Sequence, residues 1–202
     1  MQVQRRREKM CKGVVREIRN KTIVNYEEIR ETANKFIAEY KIKDEKTPIV
    51  KIINDAGFKI FEQDLPEEIG GYIVLSGEVA NKFGSDKIIV VNEKENYPRQ
   101  RFSLAHEFAH YLLDEGAKCD IEYSDIYSFS AFESDADKSE TEKRMDRFAA
   151  ELLMPVDIFK NKYTEFKTQY VLLYDICSAL ADFFAVPPMA VKKRFEEVGI
   201  SI

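Results

Sequence analysis

Tryptophan is absent from this 202-residue chain, and histidine and cysteine are scarce, at two and three residues. The cysteines, Cys11, Cys119 and Cys177, are odd in number, far apart and never spaced as C-x-x-C. That excludes a disulfide framework and a thiolate metal site, and leaves buried or incidental thiols. Glycine and proline are sparse, at 8 and 6 residues, while hydrophobic residues make up 45% and charged residues 33%. Neither a fibrous repeat nor a disordered polar chain has this composition. Long apolar runs are missing too. The longest aliphatic stretch is Ile88 to Val91, whereas a membrane span needs about 18 apolar residues, and no apolar stretch of a signal peptide follows the charged N-terminus. These absences predict a cytoplasmic protein with no membrane partner.

The net charge of -5 is unevenly spread: residues 1–21 carry eight Lys/Arg against two Glu, so the rest of the chain is strongly acidic. An acidic body repels phosphate backbones, which argues against direct nucleic-acid binding. The basic segment reads as a solvated arm, in which Val14, Val15 and Ile18 lie at the spacing of a weak amphipathic helix.

Three regions are expected: this arm at 1–21, a compact domain at 22–155, and a C-terminal helical extension at 156–202 packed on the same domain. Asn25 followed by Glu28 predicts a capped helix that buries Ile29, Ala33, Phe36, Ile37 and Tyr40. Pro48 opens a second helix and Gly57 closes it. Short β-branched and aromatic runs, Phe58 to Phe61, Tyr72 to Leu75 and Lys87 to Asn92, predict a small, mainly antiparallel sheet. Helical period returns at Pro98, with Phe102, Ala105, Ala109, Leu112 and Leu113 on one side and Gly116 as C-cap. A polar connection over 117–139 leads to a helix from about Glu140 to Leu153 that stops at Pro155, and further helices are expected around 169–184 and 188–198. The fold class is therefore α+β.

The two histidines stand in one string, His106-Glu107-Phe108-Ala109-His110. On a helix, positions four apart share a face, so both imidazoles can meet one ion, while Glu107, turned by about 100°, sits beside the metal as a base. This is the spacing of a zincin-like active site. Hydrolytic zinc takes three protein ligands, and with no histidine left a carboxylate must be the third. Glu142 is preferred, because Asp146 one turn along the same face can accept a hydrogen bond from a ligand imidazole. Glu140 and Glu151 compete for the role. Glu140 shares no face with Asp146, and Glu151 lies in an apolar stretch. Tyr111 adjoins the His pair but reads as packing. With no third histidine, a donor for a reaction oxyanion must come from Tyr, Arg or backbone N–H groups, and the tyrosines of the long connection are candidates. Between positions 114 and 142 stand ten acidic and two basic residues, which read as a solvated loop or, if they overhang the cleft, would favour Lys/Arg-rich substrates, and the Gly71 to Leu75 strand could hold an extended peptide by main-chain pairing.

The string Phe102-Ser-Leu-Ala-His106-Glu-Phe-Ala-His110-Tyr-Leu-Leu113, with Glu142 and the later Phe148-Ala-Ala-Glu-Leu-Leu-Met-Pro155, closely resembles the ImmA/IrrE family of zinc metallopeptidases. Gly71 to Val74 and Ile88 to Asn92 look like its strands, and Ala181 to Arg194 like its C-terminal helices. The resemblance implies His106, His110 and Glu142 as ligands of one Zn2+ per chain, although other divalent metals share this donor set, and Glu107 as the catalytic base. It departs at Met145-Asp146, where the family commonly has Ala-Asn; Asp keeps an acceptor for the imidazole and adds negative charge. It further implies that the substrate is a partner helix-turn-helix transcriptional repressor, cut to relieve repression. The competing readings are a non-proteolytic antirepressor or sensor that binds the repressor without cutting it, and a DNA-binding regulator that uses the basic arm.

Overall fold

The structure, a computed structural model, describes residues 11–18, 25–75, 82–113 and 138–201. Helix α1 comprises residues 11–18, and its Cys11, Val15 and Ile18 are buried in the main core. This part of the basic segment is packed, while residues 1–10 lie outside the described residues. Helix α2 (Tyr26–Glu39) starts as expected: the Asn25 side chain accepts from the backbone N–H of Glu27 and Glu28 at 3.0 Å each, and Glu28 accepts from the Asn25 N–H. Its buried face is Ile29, Thr32, Ala33 and Phe36. Helix α3 (Ile49–Asp55) ends where Gly57 adopts φ +96°. There the Gly57 N–H donates to Asn54 O at 3.0 Å and the Phe58 N–H to Ile53 O at 3.2 Å, the paired bonds of a left-handed helix cap that glycine forms without strain.

Strands β1 (Lys59–Gln63), β2 (Gly71–Leu75) and β3 (Lys87–Asn92) form one sheet in the order β1-β3-β2. The sheet is mixed: β3 runs antiparallel to β2 and parallel to β1. The reason lies in β3. Ile89 and Val91 face the main core, while Ile88 and Val90 join Val74 in a second apolar cluster flanked by Phe61, Leu65, Tyr72 and Phe83. A strand that is apolar on both faces belongs at the centre of a sheet. A β1–β2 hairpin would leave it at an edge. Between β1 and β2 the chain crosses the end of β3, held by the buried Asn92, whose amide donates to the carbonyls of Leu65, Pro66 and Ile69 at 3.3, 3.1 and 2.9 Å.

At Gly71 a Cβ would stand 2.7 Å from Val90 O. Gly71→Ala is expected to pry β2 from β3 and cost about 1–3 kcal/mol, read as a lowered urea midpoint at unchanged slope; an unchanged midpoint would mean that the strands yield freely.

Helix α4 (Tyr97–Leu113) is buried without interruption from Arg101 to Leu113. An apolar face alone is expected from its sequence. Burial on every side follows because β2, β3 and α3 pack against it as well as helix α5 (Glu140–Leu153), and an encircled helix must find partners for its polar groups. Arg101 does so by donating to Thr47 O at 2.9 Å and Ala185 O at 3.2 Å. The C-cap expected at Gly116 lies outside the described residues.

Helix α5 spans the expected range, and Pro155 follows its end. The next helix, α6 (Val156–Gln169), is not foreseen from the sequence, because only Ile158 and Phe159 are buried along it. After it, Tyr170 and Leu172 are extended, so α7 (Leu173–Phe184) begins later than its periodicity suggests. Helix α8 (Pro188–Glu197) opens on proline as expected. The Phe159 ring joins α6 to α7 and α8, with centroids 5.8 Å from Phe184 and 5.2 Å from Phe195. Among the described residues, no single helix is long and apolar enough to cross a membrane.

Candidate metal centre

Helices α4 and α5 bring the site together, and an aromatic wedge sets their spacing. The Phe36 ring of α2 contacts Phe108 of α4 and Phe148 of α5, with centroids 5.7 and 6.4 Å away. From α4 come His106, Glu107 and His110, all but fully buried. From α5 come Glu142, whose backbone N–H donates to the Ser139 cap at 3.2 Å, and Asp146.

His106 Nε2 lies 2.9 Å from Glu142 Oε2 and 3.2 Å from His110 Nε2, and His110 Nε2 lies 3.5 Å from Glu142 Oε1. Tetrahedral zinc with bonds of about 2.0–2.1 Å separates its ligand atoms by about 3.3 Å. The separation of the two imidazole nitrogens matches this, each of them stands within 3.5 Å of one or the other Glu142 oxygen, and the triangle of three residues forms a group that could hold one metal ion. Two imidazoles and a carboxylate, with no thiolate, suit a hydrolytic rather than a structural zinc.

The orientation of His106 is set from behind. Its Nδ1 lies 2.9 Å from Asp146 Oδ1; a carboxylate can only accept, so Nδ1 carries the proton and Nε2 faces the triangle. Asp146 Oδ2 accepts in turn from Lys138 Nζ at 2.8 Å. Burial opposes protonation of His106, but the bonds with Asp146 and Glu142 outweigh it and raise its pKa to about 9. The same contacts act in reverse on Glu142: burial would raise its pKa, while hydrogen bonds with His106 and His110 hold it far below the usual carboxylate range. In the metal-free protein these donor atoms share protons, for which a cation competes.

Glu107 differs from both. Its side chain is fully buried, and neither carboxylate oxygen has a hydrogen-bond partner among the described residues. Burial pushes its pKa up to about 7, against the opposing charges of His110 and His106. A carboxyl that can hold or release a proton near neutrality, next to a cation site, is equipped for general acid–base work.

The competing carboxylates lie elsewhere. Glu140 is 80% exposed and pairs with Lys143 at 2.8 Å. Glu151, 2% exposed, is enclosed by Arg194 at 2.6 Å, Arg147 at 2.9 Å and Arg30 at 3.1 Å. Tyr111 packs on Phe58 at 4.9 Å and accepts a hydrogen bond from Lys87 on β3. The tyrosines of the long connection, Tyr123 and Tyr127, lie outside the described residues, as does all of 114–137. Lys138 is the participant that sequence reasoning misses. Its signal was its rarity, as one of two basic residues in a stretch holding ten acids.

Residues 53–196 match the family model described as Peptidase_M78, IrrE N-terminal-like domain. The match runs from α3 through the sheet and the candidate centre into α8. No curated protein sequence matches the chain.

Proposed function

The chain belongs to the IrrE N-terminal-like family of M78 peptidases, and from that premise we propose that it is a zinc-dependent endopeptidase whose substrate is a helix-turn-helix transcriptional repressor. The observation that carries the reading is the triangle of His106, His110 and Glu142 beside a buried carboxyl that has no hydrogen-bond partner among the described residues. His106, His110 and Glu142 would hold the metal. Bound zinc supplies a Lewis acid that polarises the scissile carbonyl and acidifies water. Glu107 accepts a proton from the attacking water at a carboxylate oxygen and passes it to the leaving amine. Asp146 keeps the Nδ1 proton of His106 in place, so the ring neither flips nor changes tautomer during turnover. His106, Glu107 and His110 lie in a buried stretch of α4, where exclusion of bulk water strengthens each charge interaction.

A centre that only bound a partner would have no use for Glu107, whose burial without hydrogen bonds from the described residues costs stability. This favours the enzyme over the non-cutting antirepressor. The test is co-expression with a candidate helix-turn-helix repressor from the same genome, with the repressor's mass as readout. Wild type is expected to shorten it, and His110→Ala to leave it intact. Co-purification with an intact repressor in both cases would support the antirepressor instead. Glu142→Ala is expected to lose at least about tenfold in zinc affinity, measured by competition with a chromophoric chelator; unchanged affinity would place the third ligand elsewhere.

A further inference from the structure

Lys138 precedes the Ser139 cap of α5, at the helix end where aligned peptide dipoles carry partial positive charge and disfavour a cation. Lysine heads ordinarily rest in solvent, and the acidic side chains of Glu140 and Glu142 stand in the adjoining first turn. Lys138 reaches past that turn. Its side chain is only 9% exposed, and its Nζ donates to Asp146 Oδ2 at 2.8 Å, two turns along the helix. The other oxygen of that carboxylate accepts from His106 Nδ1 at 2.9 Å. A relay therefore runs from ammonium to carboxylate to imidazole, and it ends at the ring nitrogen that faces Glu142 and His110.

We propose that Lys138 is a positioning residue that acts on the metal centre through Asp146: its ammonium pins the carboxylate and cancels its charge, so that the pair meets His106 as one neutral acceptor. The inference rests on the metal-binding reading above. A bare carboxylate behind a ligand imidazole makes the ring a stronger donor and adds negative charge near the cation, and both effects tighten metal binding. A carboxylate already paired orients the ring with little of either. The buried position of the ammonium makes this cancellation effective, because solvent does not screen it. Lys138 thus trades metal affinity for a centre with less negative charge, where the cation keeps more of its pull on a substrate carbonyl.

The test measures Zn2+ affinity by chelator competition, together with the visible absorption of Co2+ as a probe of ligand geometry, on full-length variants whose folding is checked by circular dichroism. Lys138→Met is expected to bind Zn2+ about tenfold more tightly and to shift the Co2+ bands. Asp146→Asn leaves a cation without its anion and is expected to bind about tenfold more weakly. The double variant Lys138→Met/Asp146→Asn, with a neutral amide where the neutral pair stood, should return to within about threefold of wild type, and Lys138→Arg should match wild type. Weaker binding by Lys138→Met, or a double variant no better than Asp146→Asn alone, overturns the proposal while leaving the metal reading intact. A wild type that binds no Zn2+ overturns both. If Lys138→Met fails to fold, the charge-neutral double variant decides: recovery supports the cancellation, and continued tenfold weakness refutes it.

Discussion

Glu107→Gln is expected to keep its metal and lose about 10^2–10^4-fold in cleavage rate, the usual contribution of a positioned acid–base group. Glutamine has the same shape but cannot take a proton from water. The substitution is clean because the Glu107 oxygens have no hydrogen-bond partner among the described residues, so no bond seen in the fold is broken. A buried group that can carry charge is also replaced by one that cannot, which lowers its desolvation cost. The variant should therefore be no less stable than wild type. Metal content by elemental analysis and repressor cleavage by mass spectrometry check the two halves separately. Undiminished cleavage would move the base to another residue, and loss of metal would make Glu107 a ligand.

Removing the charge of Glu151 should be the most damaging single change to stability away from the candidate centre. The Arg194 guanidinium, 0% exposed, donates to Glu151 Oε2 at 2.6 Å, to Met154 O at 3.0 Å and to Glu197 Oε2 at 2.9 Å. Glu151→Gln leaves that guanidinium in the interior with its main counter-charge gone, and breaking such a pair from one side costs about 3–5 kcal/mol. Urea unfolding at neutral pH reads the loss directly; a change below about 1 kcal/mol would mean that Glu197 alone compensates Arg194. The effect has a defined pH dependence. Burial would raise the Glu151 pKa, but the hydrogen bond from Arg194, the charges of Arg194 and Arg147 and the bond from Arg30 hold it below its ordinary 4.5. A carboxyl whose folded pKa is depressed contributes its full stability above the unfolded value and loses it as pH falls through the folded one. Wild type should thus exceed Glu151→Gln by the whole amount at pH 7, and the gap should close below about pH 4.5.

The parts of this architecture that are legible in the sequence are those that depend on short-range pattern. Asn25 with Glu28, Gly57 after Asp55 and Pro188 at a helix start act within one turn of chain, and each stands where its local chemistry places it. His106 and His110 are legible for the same reason, because a spacing of four on a helix needs no tertiary information. Pairing partners are a different matter. That β3 lies between β1 and β2 follows from its apolar character on both faces, which becomes decisive only once α4 covers one of them. Helix α6 hides because its contribution to the core is two adjacent residues, Ile158 and Phe159, with Tyr163 and Phe166 half-buried at its side. Glu151 is ambiguous in sequence and unambiguous in space: its three arginines come from α2, α5 and α8, at separations of 121, 4 and 43 residues. Lys138 gains meaning only when α4 carries His106 up to Asp146.

Helix α5 thus has two occupations along a single rod. Its first turns offer Glu142 and Asp146 to α4, and its last turn offers Glu151 to α8. Because a helix is stiff along its axis, ordering at one end is communicated to the other, and whatever binds the native arrangement adds its binding free energy to the whole cooperative unit. A cation bound at the candidate centre would then also stabilise the anchorage of the C-terminal helices. If the centre holds a metal ion, its removal would loosen the far end of the protein as well as empty the near one.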